Sequence, residues 1–515
     1  MLGSPRSDFL GALFSLVLVA MMLFGGAPTF PPAPAPLQGK TQPADQKPGS
    51  LPEPTPAGTR NIPQKPGTKS TENVPPPAPG EAPTQTVVHT VNRGESLPSL
   101  ARHYLPQTTY MTTAELEAAI RQANPGKIEK YLRPGAEVTI PGILIAPLVE
   151  QPVPVAKDFE MRGIYITGYM AGSEHGLQLI RRWREAGGNA VVFDVKDMDG
   201  LVNVPFEHEL APKRKYVPIR SLPKFARFLH SLGLHAITRI ALFRDEYLAQ
   251  NHPALAVQSR RTGQPWRENG KLVWTDPSRA EVQNYNLALA RAVATSGVDE
   301  IQFDYVRFPA EGDQKDAQFA FQSSHPDRDR SDVINDFLSC AYDELHPLGV
   351  LVSVDVFGVM AWQRAVDLEH TGQDIPAMAQ FCDVLSPMVY PSHFFGMDGY
   401  ARPGDAPEHF IGESMQRFGE ITAETEVVLR PWLQAFAWRT KTYSDAYIRT
   451  QVSVAREQGG VGFLFWNARN DYSKLFPAMA EMRAAPGRFF RGDEIQAAHP
   501  KSPPSLTPSN PTGTK

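Results

Sequence analysis

The strongest constraint on the fold is the alternation of short apolar segments with amphipathic ones between about residues 158 and 485. Eight of the apolar segments have the β-branched and aromatic composition of buried strands. They are Gly163–Thr167, Ala190–Val195, His235–Leu242, Glu300–Val306, Leu351–Phe357, Val384–Val389, Val427–Gln434 and Val461–Trp466. Strands that alternate with helices are typical of βαβ units and predict a parallel sheet.

Most of the segments between these strands have the apolar spacing of amphipathic helices. The clearest are Gly176–Glu185, Leu222–Leu232, Arg279–Ser296, Ser331–Leu345 and Ser444–Gln458. Eight strand–helix units in a stretch of this length predict an α/β fold, the (β/α)8 TIM barrel with insertions. A doubly wound sheet is the alternative, but no glycine-rich phosphate turn follows the first strand.

The chemistry of a TIM barrel lies at the C-terminal ends of its strands, so the polar and aromatic residues there are the candidates for a site. They are Asp194, Asp197, Arg239, Asp304, Arg307, Asp355, Tyr390, Trp432 and Trp466. Such a mixture suits a sugar, because hydroxyl groups need hydrogen bonds and the C–H faces of the ring stack on aromatic side chains. The sequence therefore predicts a carbohydrate site.

Four motifs of this region resemble the glycosyl-hydrolase domain family that is catalogued as domain of unknown function 4015. They span residues 161–167, 189–197, 298–309 and 385–391, and the third of them, with Asp304-Tyr305-Val306-Arg307-Phe308-Pro309, is the most specific. The resemblance covers essentially all of residues 158–485. It implies a TIM barrel distantly similar to retaining α-glycosidases, and it implies no particular substrate.

Hydrolysis of a glycoside normally needs two carboxyl groups, and Asp304 with Asp355 is the best pair. Their predicted strands are neighbours, and neighbouring strands lie about 4.8 Å apart. By analogy with the amylase-like barrels that the family distantly resembles, Asp304 is the expected nucleophile and Asp355 the expected general acid/base. The acid then needs a raised pKa. The alternative is a structural role in which Arg239 or Arg307 neutralises Asp304.

The remaining candidates are expected to bind substrate. Asp194 and Asp197 follow the second strand, with Lys196 between them as a possible ion-pair partner. Tyr390, Trp432 and Trp466 form the expected stacking platform, although aromatic side chains also pack at barrel rims for purely structural reasons. The two cysteines, Cys340 and Cys382, are interpreted as buried small residues that an oxidising compartment could join in a disulfide.

Several classes of protein are disfavoured. The fourth strand lacks the essential glutamate of the chitinase motif, since Val306 stands in its place. No helix-spaced histidine pair of metal-dependent deacetylases, no Cys/His zinc cluster and no nucleophile elbow is found, so no cofactor or metal is expected. A net charge of −4 gives no electrostatic reason for nucleic-acid binding.

The N-terminal region predicts export. Arg6 precedes an apolar run from Phe9 to Phe24, so residues 1–27 are expected to be a signal peptide or a membrane anchor. A Pro-rich linker over residues 28–85, a hinge over residues 143–157 and a disordered tail over residues 486–515 are predicted from composition. The expected location is periplasmic, wall-associated or membrane-anchored and facing outward.

Residues 86–142 form a compact unit with a strand, two helices and a second strand. The motifs at His89-Thr90-Val91, Gly94-Glu95-Ser96-Leu97, Asn124-Pro125 and Leu132-Arg133-Pro134-Gly135 resemble the LysM module. That resemblance implies binding to N-acetylglucosamine-containing glycans such as peptidoglycan. Pro98 and a long segment between the helices depart from the pattern, and a degenerate spacer domain remains the alternative.

The sequence as a whole predicts a glycoside hydrolase that acts on a cell-wall or extracellular polysaccharide and is targeted by the LysM-like module. The alternative is a wall-anchored scaffold that binds glycans without hydrolysing them. The position of Asp355 relative to Asp304 decides between the two, because the hydrolase needs both carboxyl groups in one cleft.

Overall fold

The computed structural model describes residues 82–126, 128 and 131–491. The expected signal segment, residues 1–27, lies outside the described residues, as do nearly all of the predicted Pro-rich linker and the tail from residue 492. Within the described ranges, no helix is both long and apolar enough to cross a membrane.

The strands, numbered in chain order, are β1 Thr84–Thr90, β2 Glu137–Leu144, β3 Met161–Ile166, β4 Ala190–Lys196, β5 His235–Ala241, β6 Gln258–Ser259, β7 Glu300–Asp304, β8 Ala317–Gln318, β9 Leu351–Phe357, β10 Val384–Met388, β11 Val428–Leu429, β12 Trp432–Gln434 and β13 Gly462–Trp466. The helices are α1 Leu97–Tyr104, α2 Thr113–Ala123, α3 Gly168–Ala171, α4 Glu174–Glu185, α5 Leu222–Ser231, α6 Glu246–Asn251, α7 Ala280–Ala294, α8 Phe321–Ser324, α9 Arg330–Leu345, α10 Ala365–Thr371, α11 Ile375–Met378, α12 Pro407–Ile421, α13 Asp445–Glu457, α14 Leu475–Ala484 and α15 Pro486–Phe489.

Eight parallel strand positions close into a barrel, with β11 and β12 serving as one interrupted strand. The order is β3, β4, β5, β7, β9, β10, β11/β12 and β13, and β13 pairs back with β3. The helices surround this barrel, so the predicted TIM fold is confirmed. The observed strands start and end within three residues of the predicted ones, because each apolar run is bounded by turn-forming or helix-capping residues.

Two apolar layers build the domain. Outward-facing strand residues such as Phe193, Ile301 and Val354 pack with the helices in a single large core. Inward-facing residues such as Val192, Ile237 and Leu464 fill the barrel itself. The alternation follows from the period of two along a strand. Gly163 belongs to the inner layer, where a Cβ atom would lie 2.5 Å from the Leu464 side chain.

Charged residues also enter the barrel interior, below its C-terminal mouth. Arg430 donates hydrogen bonds of 2.9 Å to both carboxylate oxygens of Glu300, and His235 contacts the same carboxylate at 3.2 Å. Burial alone would raise the pKa of Glu300, but the charge of Arg430 and the contact with His235 lower it to about 2. The interior of the barrel below its mouth therefore contains a layer of paired charges. Such pairing is needed because an unpaired buried charge is costly.

A small unit precedes the barrel. β1 and β2 pair in antiparallel fashion, and α1 and α2 pack on them around Leu100, Leu116 and Ile140. Both helices begin at capping boxes, with Ser96 and Thr112 as N-caps. The β-α-α-β order is the one that the sequence predicts for residues 86–142.

This unit contacts the helical layer of the barrel. Arg181 of α4 donates a 2.6 Å hydrogen bond to Glu115 of α2, and Lys224 of α5 donates one of 2.9 Å to the Leu105 carbonyl. Met111 packs against the large core. Burial lowers the pKa of Lys224 to about 8. The contact combines one ion pair, one charged hydrogen bond and an apolar anchor.

The segment between the small unit and the barrel is fixed at one point. Glu150 contacts the His230 ring at 2.9 Å, and the other ring nitrogen of His230 lies 3.1 Å from both oxygens of Asp299. Asp299 also accepts a 2.7 Å hydrogen bond from the Val153 amide. These four residues, Glu150, Val153, His230 and Asp299, form what we term the connector clamp.

The cysteines differ in part from the prediction. Both are free, so no disulfide joins them, and Cys382 is buried as expected. Cys340 is exposed on α9, which corrects its interpretation as a buried residue. The reason is helical periodicity, because Cys340 lies between the buried Leu338 and Ala341 on the edge of an amphipathic helix.

Candidate active site

Asp304 and Asp355 end neighbouring strands at the mouth of the barrel. β7 pairs with β9 so that Phe303 lies opposite Val354, and the two aspartates are the next residues in the same register. Both point inward, because Asp304 contacts Arg239 and Asp355 contacts Trp432, which belong to β5 and β12. Their backbones are therefore about one strand spacing apart, about 4.8 Å.

Asp304 lies in a positively charged environment. Arg239 donates two hydrogen bonds to its Oδ2 atom, of 2.9 Å from Nε and 2.7 Å from Nη2. The Tyr305 amide donates a third, of 2.6 Å, to Oδ1. Three N–H donors thus fix the orientation of this one carboxyl group. Such a carboxylate is suited to attack an electrophilic carbon.

The backbone next to Asp304 adopts an unusual conformation that allows this third hydrogen bond. Tyr305 has a φ of 52°, in the left-handed region that residues other than glycine rarely occupy. That conformation costs about 1 kcal/mol or more. It ends β7 abruptly and turns the Tyr305 amide back towards the carboxylate. Strain of this kind is common at functional sites and is consistent with a site here.

Asp355 has the opposite environment. Asp355 is 2% exposed, and its Oδ1 atom accepts a hydrogen bond of 2.7 Å from Trp432 Nε1. Burial raises the pKa of Asp355 well above its ordinary value, and the nearby charge of Asp304 raises it further. The hydrogen bond from Trp432 opposes this shift but does not cancel it. Asp355 therefore holds a proton under conditions in which an exposed aspartate has lost it.

Asp194 and Asp197 complete the ionic cluster around Arg239. Nη1 of Arg239 donates hydrogen bonds of 2.6 Å to Asp194 and 3.1 Å to Asp197. Burial, together with the charge of Asp197, raises the pKa of Asp194 to about 7. One guanidinium thus joins three carboxyl groups from β4, the loop after it and β7, and it fixes their relative positions.

Lys196 does not join this cluster, contrary to the expected pairing with Asp194 or Asp197. One extra residue in β4, opposite Arg239 and Ile240 of β5, creates a β-bulge between Asp194 and Lys196. The bulge turns Lys196 outward, where its Nζ contacts Asp245 at 2.9 Å and Asn286 at 2.8 Å. A single inserted residue changes which carboxylate the lysine neutralises.

The expected aromatic platform is only partly open. Trp432 is 1% exposed, and its ring packs edge-on against Trp466 at 5.7 Å between centroids. We therefore revise its stacking role to one of holding Asp355. Trp466 is half-buried and stacks on Tyr165 at 3.9 Å. Tyr390 is 6% exposed, and burial together with the charges of Asp355 and Asp304 raises its pKa, so it keeps a hydroxyl proton to donate.

Arg307 lies at the mouth but does not neutralise Asp304. No ion pair joins the two among the described residues, and the guanidinium instead stacks near Phe357, Trp274 and Tyr305. Of the two expected partners of Asp304, only Arg239 takes that role.

Several site residues were missed by the sequence analysis. Tyr165 of β3 donates a short hydrogen bond to Asp194. Glu268 and Glu311 come from the long loops that follow β6 and β7, and both act electrostatically on Arg244 and Arg307. Tyr165 could have been found from its inward position in the first strand. The two glutamates could not, because no periodicity places a residue of a long loop.

No group of three or more His, Cys, Asp or Glu side chains in the part of the chain that the structure describes is arranged to hold a metal ion. The mouth of the barrel instead offers a carboxyl group bound by Arg239 beside a buried carboxyl group with a raised pKa, and the aromatic side chains of Tyr390, Trp432 and Trp466 lie near them. That combination is capable of acid-assisted displacement at a sugar carbon.

Residues 163–472 match the model of a protein family described as "Putative glycosyl hydrolase domain", which is domain of unknown function 4015. A solved structure of a hypothetical protein from Ruminiclostridium thermocellum ATCC 27405 is 34% identical over 38% of this chain and 97% of that chain, with a TM-score of 0.33.

Two further solved structures are more distant. The PgaB (BpsB) glycoside hydrolase domain from Bordetella bronchiseptica is 16% identical over 65% of this chain and 99% of that chain, with a TM-score of 0.49. The spore cortex-lytic enzyme SleL from Bacillus cereus is 13% identical over 77% and 98%, with a TM-score of 0.38. A search of curated protein sequences gives no match.

Proposed function

The chain belongs to the glycosyl-hydrolase family catalogued as domain of unknown function 4015, and from that membership we propose that its barrel hydrolyses a cell-wall or extracellular polysaccharide by a two-carboxylate mechanism. The observation that carries the mechanism is the contrast between Asp304 and Asp355. One carboxyl group is bound by a guanidinium, whereas the other is buried with a raised pKa. Two carboxyl groups in such different environments can take different roles in acid–base chemistry.

Asp304 is the proposed nucleophile. Its carboxylate attacks the anomeric carbon while Asp355 gives its proton to the departing glycosidic oxygen. A water molecule then hydrolyses the glycosyl–Asp304 ester, with Asp355 now acting as base. A spacing of one strand between the two aspartates supports the short carboxyl separation of retaining enzymes, about 5–5.5 Å, over the wider separation that an inverting enzyme needs.

The other residues position these two groups. Arg239 fixes Asp304 against Asp194 and Asp197, and Trp432 orients Asp355. Tyr390 and Trp466 are proposed to contact the sugar, with Tyr390 as a hydrogen-bond donor and Trp466 as a partly open ring. These side chains lie on barrel strands or, for Asp197 and Tyr390, within two residues of a strand end, which supports the precise geometry that catalysis needs.

The unit over residues 86–142 is proposed to bind N-acetylglucosamine-containing glycans in the manner of the LysM modules it resembles. Its β-α-α-β arrangement supports this proposal. A bound wall polymer raises the local concentration of substrate for a barrel attached to the same chain. Export, by the segment at residues 1–27, would bring the protein to that polymer.

The nucleophile and the acid can be separated by chemical rescue of two alanine variants. We expect Asp304→Ala to lose hydrolysis of every polysaccharide in a panel that includes peptidoglycan, and azide to restore turnover as a glycosyl azide of inverted configuration. Asp355→Ala should lose about 10²- to 10⁴-fold, but much less on aryl glycosides with good leaving groups, because these need no proton. Its azide product should have retained configuration.

Asp336→Asn is the control for these variants, because Asp336 is an exposed residue of the outer helix α9. Full activity in Asp304→Ala, or an identical rescue product from both variants, would overturn the assignment of roles. Inert Asp304→Asn protein should still co-sediment with insoluble peptidoglycan, and failure to do so would count against the glycan-binding unit alone.

A further inference from the structure

Arg307 is a buried cation with an incomplete set of partners. Its residue is 3% exposed, and its one hydrogen bond within the described residues runs from Nη1 to the Phe308 carbonyl, at 2.9 Å. It forms no ion pair there. A buried guanidinium is costly unless its N–H groups and its charge are satisfied. Something outside the described protein is therefore expected to complete its contacts.

The faces of this guanidinium are occupied, but its edge is not. The Phe357 ring centroid lies 4.3 Å from Cζ, and those of Trp274 and Tyr305 lie 4.7 Å and 5.4 Å from it. The remaining N–H groups of Arg307 are not fully enclosed by protein atoms. In this they differ from Nε and Nη2 of Arg430, which are buried in the barrel without a hydrogen bond. Stacking on the faces leaves a planar fork of donors, which matches a carboxylate.

The position of Arg307 ties it to the proposed catalytic pair. Tyr305 directly follows Asp304, and Phe357 lies two residues after Asp355, so the guanidinium lies between the ends of β7 and β9. The charge of Asp304 therefore acts on the Arg307 guanidinium. A group that binds here is therefore adjacent to a sugar placed for hydrolysis.

The surrounding charges also favour an anion. Arg244 lies over the Tyr305 ring at 5.6 Å and approaches Glu268 at 4.0 Å. Burial and the charge of Glu268 raise the pKa of Glu311 to about 7, so near neutral pH this carboxyl group is partly protonated. Arg244 and Arg307 then face the full negative charge of Glu268, and the charge of Asp304 is already paired with Arg239.

We propose that Arg307 binds a carboxylate on the substrate, so that the barrel prefers glycans with carboxyl-bearing residues over neutral glycans. The proposal rests on the proposed function and names its substrate class. Two sources supply the same chemistry: a uronic acid, and the lactyl group of muramic acid once its peptide has been removed. In intact peptidoglycan the lactyl carboxyl group forms an amide bond with the peptide and carries no charge.

Binding to catalytically inert protein tests this without any need for turnover. Calorimetry on Asp304→Asn protein would compare a glucuronate-containing oligosaccharide with the same compound after reduction of its carboxyl groups. A second arm would compare peptide-free glycan strands with intact peptidoglycan fragments. We expect the glucuronate-containing oligosaccharide to bind about 10- to 100-fold more tightly than its reduced form, or the peptide-free strands to bind that much more tightly than the intact fragments. The arm that shows the preference identifies the source.

Arg307→Gln, added to the inert protein, should remove this preference while binding of the reduced oligosaccharide changes little. Arg307→Lys should keep part of it, because an ammonium retains the charge but not the fork. Arg330→Gln is the matched control, since Arg330 also stacks on two rings, those of Phe308 and Phe319, away from the catalytic pair.

Equal binding of both members of each pair would overturn the proposal, as would an unchanged preference in Arg307→Gln or the absence of binding to any carboxylated ligand. Tighter binding of a phosphorylated oligosaccharide than of a carboxylated one would also overturn it. None of these results depends on the rescue experiments with Asp304 and Asp355. The hydrolase proposal therefore stands or falls separately.

Discussion

At the scale of single residues, the two aspartates differ because of their neighbours and not because of their own chemistry. Asp304 and Asp355 have the same side chain, end adjacent strands and point into the same mouth. Arg239 donates hydrogen bonds to Asp304, whereas burial raises the pKa of Asp355. The functional asymmetry therefore comes from which strands lie beside each of them in the closed barrel.

The raised pKa of Asp355 predicts that this residue lowers the stability of the protein. The folded state binds its proton more tightly than the unfolded chain does, so stability falls as pH rises from the ordinary aspartate pKa towards the raised folded value. Asp355→Asn should therefore lose activity yet unfold at an equal or higher urea concentration than the wild type. The excess stability of Asp355→Asn over the wild type should grow as the pH rises over this window.

Urea unfolding at several pH values between 4 and 8 measures this effect, with Asp304→Asn as the comparison. That variant removes an acceptor from Arg239 and should lose stability instead. A wild-type protein more stable than Asp355→Asn throughout the window would contradict the assignment of Asp355 as a buried, protonated acid.

At the scale of elements, the β-bulge in β4 separates two functions of one short strand. Before the bulge, Asp194 points into the mouth and binds Arg239. After it, Lys196 points to the helical layer and binds Asp245, which in turn caps α6 through the Leu248 amide. Regular alternation would have placed both side chains on the same face.

Lys196→Met should therefore destabilise the barrel without touching the catalytic pair. It leaves the Asp245 carboxylate, whose side chain is 1% exposed, without its cation. Removal of one partner from a buried ion pair costs about 3–5 kcal/mol. The free energy of unfolding from urea titration checks this value, and Lys315→Met, at an exposed lysine, is the control.

The double variant Lys196→Met/Asp245→Asn should recover part of that loss, because no charge then remains buried. A cost below about 1 kcal/mol for Lys196→Met alone would show that water or another group replaces the lysine. The ion pair of Lys196 with Asp245 would then contribute little to the stability of the barrel.

At the scale of the whole molecule, the connector clamp holds the segment between the small unit over residues 86–142 and the barrel. Glu150 and Asp299 flank His230, and their hydrogen bonds and charges outweigh the effect of burial and raise the pKa of His230 to about 9. Together with the contacts of Glu115 and Lys224, the clamp gives the small unit a defined place on the barrel.

The clamp predicts a specific dependence of stability on pH. The folded pKa of His230 is raised above its unfolded value of 6.5, so its contribution is complete below about pH 6.5 and is lost as pH rises through about 9. The shift corresponds to about 3 kcal/mol. His230→Gln should therefore be less stable than wild type at pH 6, and the difference should shrink by pH 9.5.

Urea unfolding of both proteins at pH 6, 7.5 and 9.5 provides the measurement, and His175→Gln, at an exposed histidine, serves as the control. A difference that stays constant across this range would mean that His230 contributes by packing alone. The proposed charge-based clamp would then be rejected.

The barrel was predictable from local sequence patterns. Eight apolar runs separated by amphipathic helices leave few alternatives to closure, since each strand must bury both faces and each helix must bury one. The same pattern placed Asp304, Asp355 and Arg239 at strand ends, and strand ends of a parallel barrel share one rim. These predictions rest on local periodicity, which is readable from consecutive residues.

The environment of each of those residues depends on contacts between distant parts of the chain, which the sequence patterns did not predict. The partner of Asp304, the burial of Asp355 under Trp432 and the open edge of Arg307 depend on side chains that are 50 to 77 residues apart in the chain. The outward turn of Lys196 depends on a single bulge. A pKa is set by the charges and solvent within a few ångströms, and no sequence spacing encodes those distances. Local sequence patterns thus predict the positions of the site residues along the strands. Closure of the barrel then sets the contacts and the pKa values of those residues.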